Sequence, residues 1–320
     1  MAKRKAFKVG LDKLKVCCKQ NPDCPLWDEI KNGRKYFGEH KEIYVHDIET
    51  STLRIEAIVS MLDELGDYTR LADLTIYPSS ANSTVSSEEY LYGKTFLRLY
   101  NEWLYRPDGI GYLMGAIADL HLEYNNVTHM DIALTSIHLN FSRFILAAIR
   151  DTSIELLYRG KVWKGSDVAA IPDLVVAQSL SRKGKIRNTD TLYCSMAMDG
   201  DVRMRSYNKT SELTANDDVK RSTLNNWLGL PADNKCSLYR LEVELRNADL
   251  TERLISWYKS RENVDCQYLF SGGILWEMMD EHFLLCLMYD SLNRLIRFRK
   301  GKSTFSLFDI CRLDGVEQLN

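Results

Sequence analysis

The chain has 320 residues and no apolar run long enough to span a bilayer; the longest candidates carry Asp, Glu or Arg inside them. A spanning helix needs about 20 apolar residues, so no membrane-embedded part is expected. The opening "MAKRKAFK" is basic, but no apolar stretch follows it, and no secretory signal is expected. The eight cysteines form no repeated CxxC, and "CCKQNPDC" has no second half at zinc-site spacing. Reduced thiols in a cytoplasmic protein are the expectation. Charge of one sign is lacking too: 42 Lys and Arg stand against 44 Asp and Glu, a net charge of −2. The chain is no polycation, so any nucleic-acid contact must come from local patches. Its six histidines include no His-x-His pair and no His followed three residues later by Arg. Those two absences argue against strand-nicking enzymes with paired histidine metal ligands and against tyrosine recombinases.

With 45% hydrophobic and 27% charged residues, the sequence reads as soluble and globular, with one large domain or two ordinary ones. Three basic patches stand out: "KRKAFK", "RKGKIR" and "RLIRFRKGK". Each has an ordinary explanation as a solvated charge run. Residues 50–65 have apolar positions at helical spacing (Leu53, Ala57, Ile58, Met61, Leu62, Leu65) and predict a helix. Ser-rich 78–89 predicts a surface loop, and "KTFLRLYNEW" a strand. "GIGYLMGAIADLHLEYNN" predicts a helix ending at its Asn pair, "VTHMDIALTS" a strand, and "NFSRFILAAIRD" a helix capped by Asn140. "DTLYCSMAMDGDVRMRSYNK" reads as a hairpin turning at "MDGD". Asp249 and Glu252 predict a cap for "LTERLISWYKSRE", and 271–300 predict a long helix ending in basic residues that suit its dipole. The expected architecture is α+β: a central, largely antiparallel bent sheet flanked by helices. Residues 1–247 would form the core and 248–320 a helical C-terminal region.

The chemistry-bearing residues lie on three predicted strands. In "RMRSYNK" the period-2 pattern puts Arg203, Arg205, Tyr207 and Lys209 on one face. In "YRLEVELR" it puts Arg240, Glu242, Glu244 and Arg246 together, opposite Tyr239, Leu241, Val243 and Leu245. Asp131 lies in "THMDIAL", two residues after His129. A solvated sheet face would explain such alternation without any active site. The mixture nevertheless suits phosphodiester chemistry. A tyrosine can act as a covalent nucleophile, and its weakness at neutral pH is eased by nearby cations. Carboxylates can hold a hard divalent ion, and Arg and Lys can offset transition-state charge. A short internal similarity, "LRLYNE" with "MRSYNK", raises the idea of a duplicated unit, though chance is the ordinary explanation.

"TLYCSMAMDGDVRMRSYNKTSEL" followed by "LYRLEVELR", with "THMDIALTS" before them, resembles the signature of the rolling-circle replication initiators of small plasmids and filamentous phages. "FKVGLDKLKV" and "FLRLYNEW" fit that family's order of elements. The resemblance implies a nicking–joining enzyme that joins a tyrosine to a 5′ phosphate and leaves a 3′ hydroxyl primer. On it, Tyr207 is the nucleophile, and Arg205 and Lys209 are phosphate partners. Asp131, Glu242 and Glu244 would bind Mg²⁺ or Mn²⁺. DNA contacts are expected from Arg203 and Arg240, and origin recognition from Arg294, Arg297, Arg299 and Lys300. A homodimer and host helicase and polymerase partners are implied. The chain departs from the family pattern where Thr135 replaces a second acid and where His129 or Met130 replaces an arginine. The alternative is a non-catalytic origin-binding or regulatory protein of the same fold.

Overall fold

A computed structural model describes residues 7–21, 29–30, 32–38, 42–51, 54–63, 66–77, 93–171, 174–180, 186–194, 202–211, 213, 218–246, 250, 254, 272–311 and 313. The strands are β1 Lys8–Gln20, β2 Tyr36–Phe37, β3 Ile43–Thr50, β4 Ile55–Leu62, β5 Tyr68–Ile76, β6 Lys94–Leu99, β7 Leu122–Ser136 and β8 Glu155–Tyr158. They continue as β9 Lys161–Trp163, β10 Leu174–Leu180, β11 Ile186–Cys194, β12 Val202–Asn208, β13 Tyr239–Arg246, β14 Ile296–Lys300 and β15 Ser303–Phe305. Eleven strands form one sheet, β10-β11-β12-β13-β7-β1-β6-β5-β4-β3-β2, and the other four form a second, β15-β14-β8-β9. Every pair with a described register is antiparallel. The mixed fold and the large antiparallel sheet agree with the sequence expectation.

The chain divides into two compact units. One comprises residues 1–10, 131–249 and 280–320, the other 11–130 and 250–279; β1 and β7 run through both. In the first unit, Phe141–Arg150 packs against β11, β12 and β13. It buries Phe141, Ile145 and Leu146. Its N-terminus is capped as predicted, the Asn140 side chain accepting from the Arg143 amide, a contact contributing about 1 kcal/mol. Ser142 Oγ meets Ser206 Oγ of β12 at 2.8 Å in a buried contact. Glu281–Leu295 also packs against β12 and β13, through a face that includes Phe283, Leu287, Met288 and Leu292. The second unit has its apolar layer in alternate residues, among them Leu14 and Val16 of β1, Val59 and Met61 of β4, and Leu97 and Leu99 of β6. Gly109 starts the helix Gly109–Asp119 against Trp103, where a Cβ would lie 1.9 Å from the Trp103 carbonyl oxygen.

Three local expectations are corrected. Residues 55–62 are strand β4, not helix: Ile55, Ala57, Val59 and Met61 are buried at period 2. The helix starting at Gly109 stops at Asp119, and the Asn pair lies inside β7. The helix Glu281–Leu295 gives way at Ile296 to β14, which pairs with β8 and β15. The 78–89 loop, the "MDGD" turn, the Asp249–Glu252 cap and most of "KRKAFK" and "RKGKIR" lie outside the described residues. Among the described residues, no helix is long and apolar enough to cross a membrane.

Candidate active site

β12 and β13 pair so that Arg203 faces Glu244, Arg205 faces Glu242, and Tyr207 faces Arg240. In a half-wet sheet such pairs would be solvated, but here part of the face is covered, although the Arg205 side chain remains 40% exposed. Arg240 is 0% exposed, Glu242 1%, Asp131 3% and Tyr207 6%. Burying ions costs several kcal/mol each, repaid only by good geometry and hydrogen bonds. The described contacts supply both. Tyr207 Oη donates to Glu242 Oε1 at 2.6 Å, and Lys209 Nζ reaches that phenol oxygen at 3.3 Å. Arg205 Nε donates to Glu242 Oε2, and its Nη2 reaches Asp131 Oδ2 at 3.2 Å. Arg240 Nη1 lies 3.4 Å from Glu242 Oε1, and its Nε donates to Thr135 Oγ1 at 3.1 Å.

Glu242 is therefore the hub: it accepts from the phenol and is flanked by two guanidiniums. Burial opposes the charge on Arg205, but Glu242, Tyr207 and Asp131 outweigh it and hold the guanidinium's pKa above its ordinary value. Lys209 follows β12 in a short 3-10 turn. Its amide is tied to the Leu238 carbonyl at 2.8 Å, which fixes the backbone from which the ammonium reaches back to Tyr207. Next to the cluster is a cavity of about 160 Å³, lined by Tyr193, Cys194, Arg203, Met204, Arg205 and Glu244.

The donor atoms that could hold a divalent ion differ from the expected set. His129, Asp131 and Glu244 each present one ligand atom, all within 4.8 Å of one another. Glu242, expected as a ligand, is instead engaged by Tyr207, Arg205 and Arg240. One imidazole and two carboxylates are a donor set that Mn²⁺ accepts, while Mg²⁺ prefers oxygen. In the sequence His129 stands two residues before Asp131, and the period-2 spacing that puts both on one strand face is the signal for a shared site. Thr135, at the place of an expected acid, is fully buried and receives the Arg240 hydrogen bond.

The residues expected to contact DNA are dispersed. Arg240 has no exposed surface and braces Glu242, so it is corrected from a DNA contact to an internal one. Arg203 is half-buried at the small cavity. Arg294 pairs with Asp290 one helical turn before it. Arg297, Arg299 and Lys300 lie on β14, where Arg299 pairs with Glu155 of β8, so a helix dipole does not explain them.

The similarity between 97–102 and 204–209 extends to contacts. Arg98 of β6 faces Asp73 of β5 across the strands. Asp73 receives both Arg98 at 2.6 Å and the Tyr100 hydroxyl at 2.5 Å. Arg205, Tyr207 and Glu242 make a similar pattern, Arg-x-Tyr with a carboxylate opposite the arginine, although Tyr207 lies within β12 and Tyr100 just past β6. The segments differ in charge at one position, where Glu102 stands in the place of Lys209. Burial, the hydrogen bond to Asp73 and the charge of Asp73 push the Tyr100 hydroxyl pKa up.

No protein-family model matches the chain, and no curated protein matches it in sequence. Among solved structures it is similar to one described as the structure of a rolling circle replication initiator protein from Geobacillus stearothermophilus. The TM-score is 0.46 and the identity 13%, over 93% of this chain and 88% of that chain.

Proposed function

We propose that the protein initiates rolling-circle replication by cutting and rejoining one DNA strand, with Tyr207 as nucleophile. The observation that carries this reading is the Tyr207 hydroxyl, held 2.6 Å from Glu242 and 3.3 Å from Lys209 within a buried, multiply bonded cluster. Buried ionic groups are poor devices for stability, and concentrated titratable groups mark functional sites. Glu242 takes the phenol proton as general base. Tyr207 Oη then bonds to phosphorus, and the bond from phosphorus to the 3′ oxygen breaks, its electron pair leaving on that oxygen. A proton from solvent completes the 3′ hydroxyl, and the strand's 5′ end stays joined to Tyr207 as a phosphodiester. Attack by a 3′ hydroxyl on that linkage reverses the steps and rejoins the strand. Lys209, 3.3 Å from the Tyr207 oxygen, and Arg205 would offset charge at the phosphoryl oxygens. A divalent ion held by His129, Asp131 and Glu244 would polarise the phosphodiester.

The near-complete burial of Tyr207 favours a second reading, a DNA-binding protein that keeps the constellation without cutting. Incubation with end-labelled single-stranded oligonucleotides and Mn²⁺ separates the two. The first reading predicts a denaturation-resistant protein–DNA adduct in the wild type and none in Tyr207→Phe; the second predicts binding without an adduct.

A further inference from the structure

We infer that the aromatic face carried by β2, β3 and β5 is a stacking platform for single-stranded DNA. This inference rests on the strand-cutting reading above but uses none of the residues assigned to the chemistry. Phe37 of β2 and Tyr44 of β3 face each other across the strands and stack, with ring centroids 4.6 Å apart and planes at 19°. Tyr44 in turn stacks on His46, at 4.8 Å and 20°. Three rings from two strands thus form one continuous pile. Tyr68 of β5 closes its side, edge-on to Phe37 at 6.2 Å and tilted to Tyr44 at 5.2 Å.

The pile is both fixed and open. The His46 ring is held by Ser60, Nε2 to Oγ 2.8 Å, and that serine is buried at 1% exposure. Phe37, at the end of the pile, is 50% exposed and Tyr68 39%. Exposed large aromatics gathered on a sheet face are unusual where nothing binds. A flat ring face at the end of a fixed stack offers a nucleobase the position of the next ring. Every base has such a face, so the contact would tolerate any sequence. A duplex hides those faces, so the ligand is a single strand.

Cations suited to phosphates stand beside the rings. Lys35 Nζ lies 5.7 Å from the Tyr44 centroid. The Arg70 side chain, two residues after Tyr68 on β5, is 61% exposed. Asp47 tempers this charge, with Oδ2 3.9 Å from Arg70 and 3.3 Å from His46 Nδ1. Stacking would therefore dominate over phosphate neutralisation. With Lys35 and Arg70 contacting about two phosphates, the slope of log affinity against log salt should be only about −1.4.

The test uses the full chain and a single-stranded oligonucleotide of about 12 nucleotides carrying 2-aminopurine. Binding is followed by anisotropy and by quenching of the probe, with EDTA present. The Phe37→Ala/Tyr68→Ala double variant should lose affinity by about tenfold or more and lose the quenching. Phe37→Trp, which restores a ring, should keep both. Adduct formation at saturating oligonucleotide, measured with Mn²⁺ in place of EDTA, should be unchanged in both variants. Equal affinity and quenching in the double variant would overturn the platform, while an adduct at Tyr207 would still support the cutting reading. A change in oligomeric state with no change in oligonucleotide binding would also overturn it, making the face a protein interface. Loss of affinity in a protein that never forms an adduct would keep the platform and remove the cutting reading.

Discussion

The Tyr207 hydroxyl donates to Glu242 Oε1 at 2.6 Å, from a strand whose register sets Arg205, not Tyr207, directly opposite that carboxylate. Glu242 thereby receives the phenol with one oxygen and Arg205 with the other. A carboxylate so occupied is placed to take a proton. Glu242→Gln keeps the shape but not the basicity, and should slow adduct formation by about 10²–10⁴-fold. Single-turnover kinetics at saturating metal measures this, and an unchanged rate would remove Glu242 as base.

Lys209 separates the Tyr207 cluster from its echo at Tyr100, where Glu102 takes the corresponding place. Lys209→Ala should lower the rate of adduct formation by about 10²-fold, the usual effect of removing one donor to a developing charge. Tyr100→Phe should leave it unchanged, because Tyr100 has Glu102 rather than a cation at the place of Lys209. Gel assays of the two variants side by side would show whether the two constellations have diverged in this way.

His129 and Glu242 make opposite predictions for metal. If His129, Asp131 and Glu244 hold the ion, His129→Ala should raise the Mn²⁺ concentration for half-maximal binding by about tenfold or more. Glu242→Gln should leave it nearly unchanged. Mn²⁺ titrations followed by electron paramagnetic resonance read binding without reference to activity.

Arg240 is buried beside Glu242 and bonded to Thr135. Arg240→Ala leaves Glu242 short of a partner in a covered site, so unfolding stability should fall by about 3–5 kcal/mol. Thr135→Val should cost less, about 1–3 kcal/mol, since only one hydrogen-bond partner is removed. Urea unfolding measures both.

Cysteine chemistry should follow burial. Burial pushes the Cys18 thiol up to about 12, and it raises the Cys17, Cys194 and Cys311 thiols as well. At pH 8 these four should resist alkylation in the folded protein, while exposed Cys236 reacts before them. Peptide mass mapping after a short pulse of iodoacetamide would show the order.

Much of the site was legible because strand alternation is a strong signal. "VRMRSYN" and "YRLEVELR" fold as the strands their period predicts, and their pairing brings Tyr207, Arg205 and Glu242 together. Alternation cannot tell a wet face from a covered one, so the burial of Arg240 was not readable. Residues 55–62 show the opposite failure. Ala57, Ile58, Met61 and Leu62 fit a helical stripe, yet Ala57 and Met61 also fit the period-2 set with Ile55 and Val59. Pairing with β3 and β5 decides for the strand. Residues 296–300 read as the basic end of a helix over 271–300, suited to its dipole. Buried Ile296 and Phe298, alternating with exposed Arg297, were the evidence for a strand.

The central claim is that Tyr207 forms the covalent bond to DNA. The most direct measurement is mass spectrometry of the nuclease-trimmed adduct formed with an oligonucleotide and Mn²⁺. The account predicts a nucleotide mass on the peptide containing Tyr207 and no adduct in Tyr207→Phe. A nucleotide on any other residue, or an adduct that survives Tyr207→Phe, would contradict it.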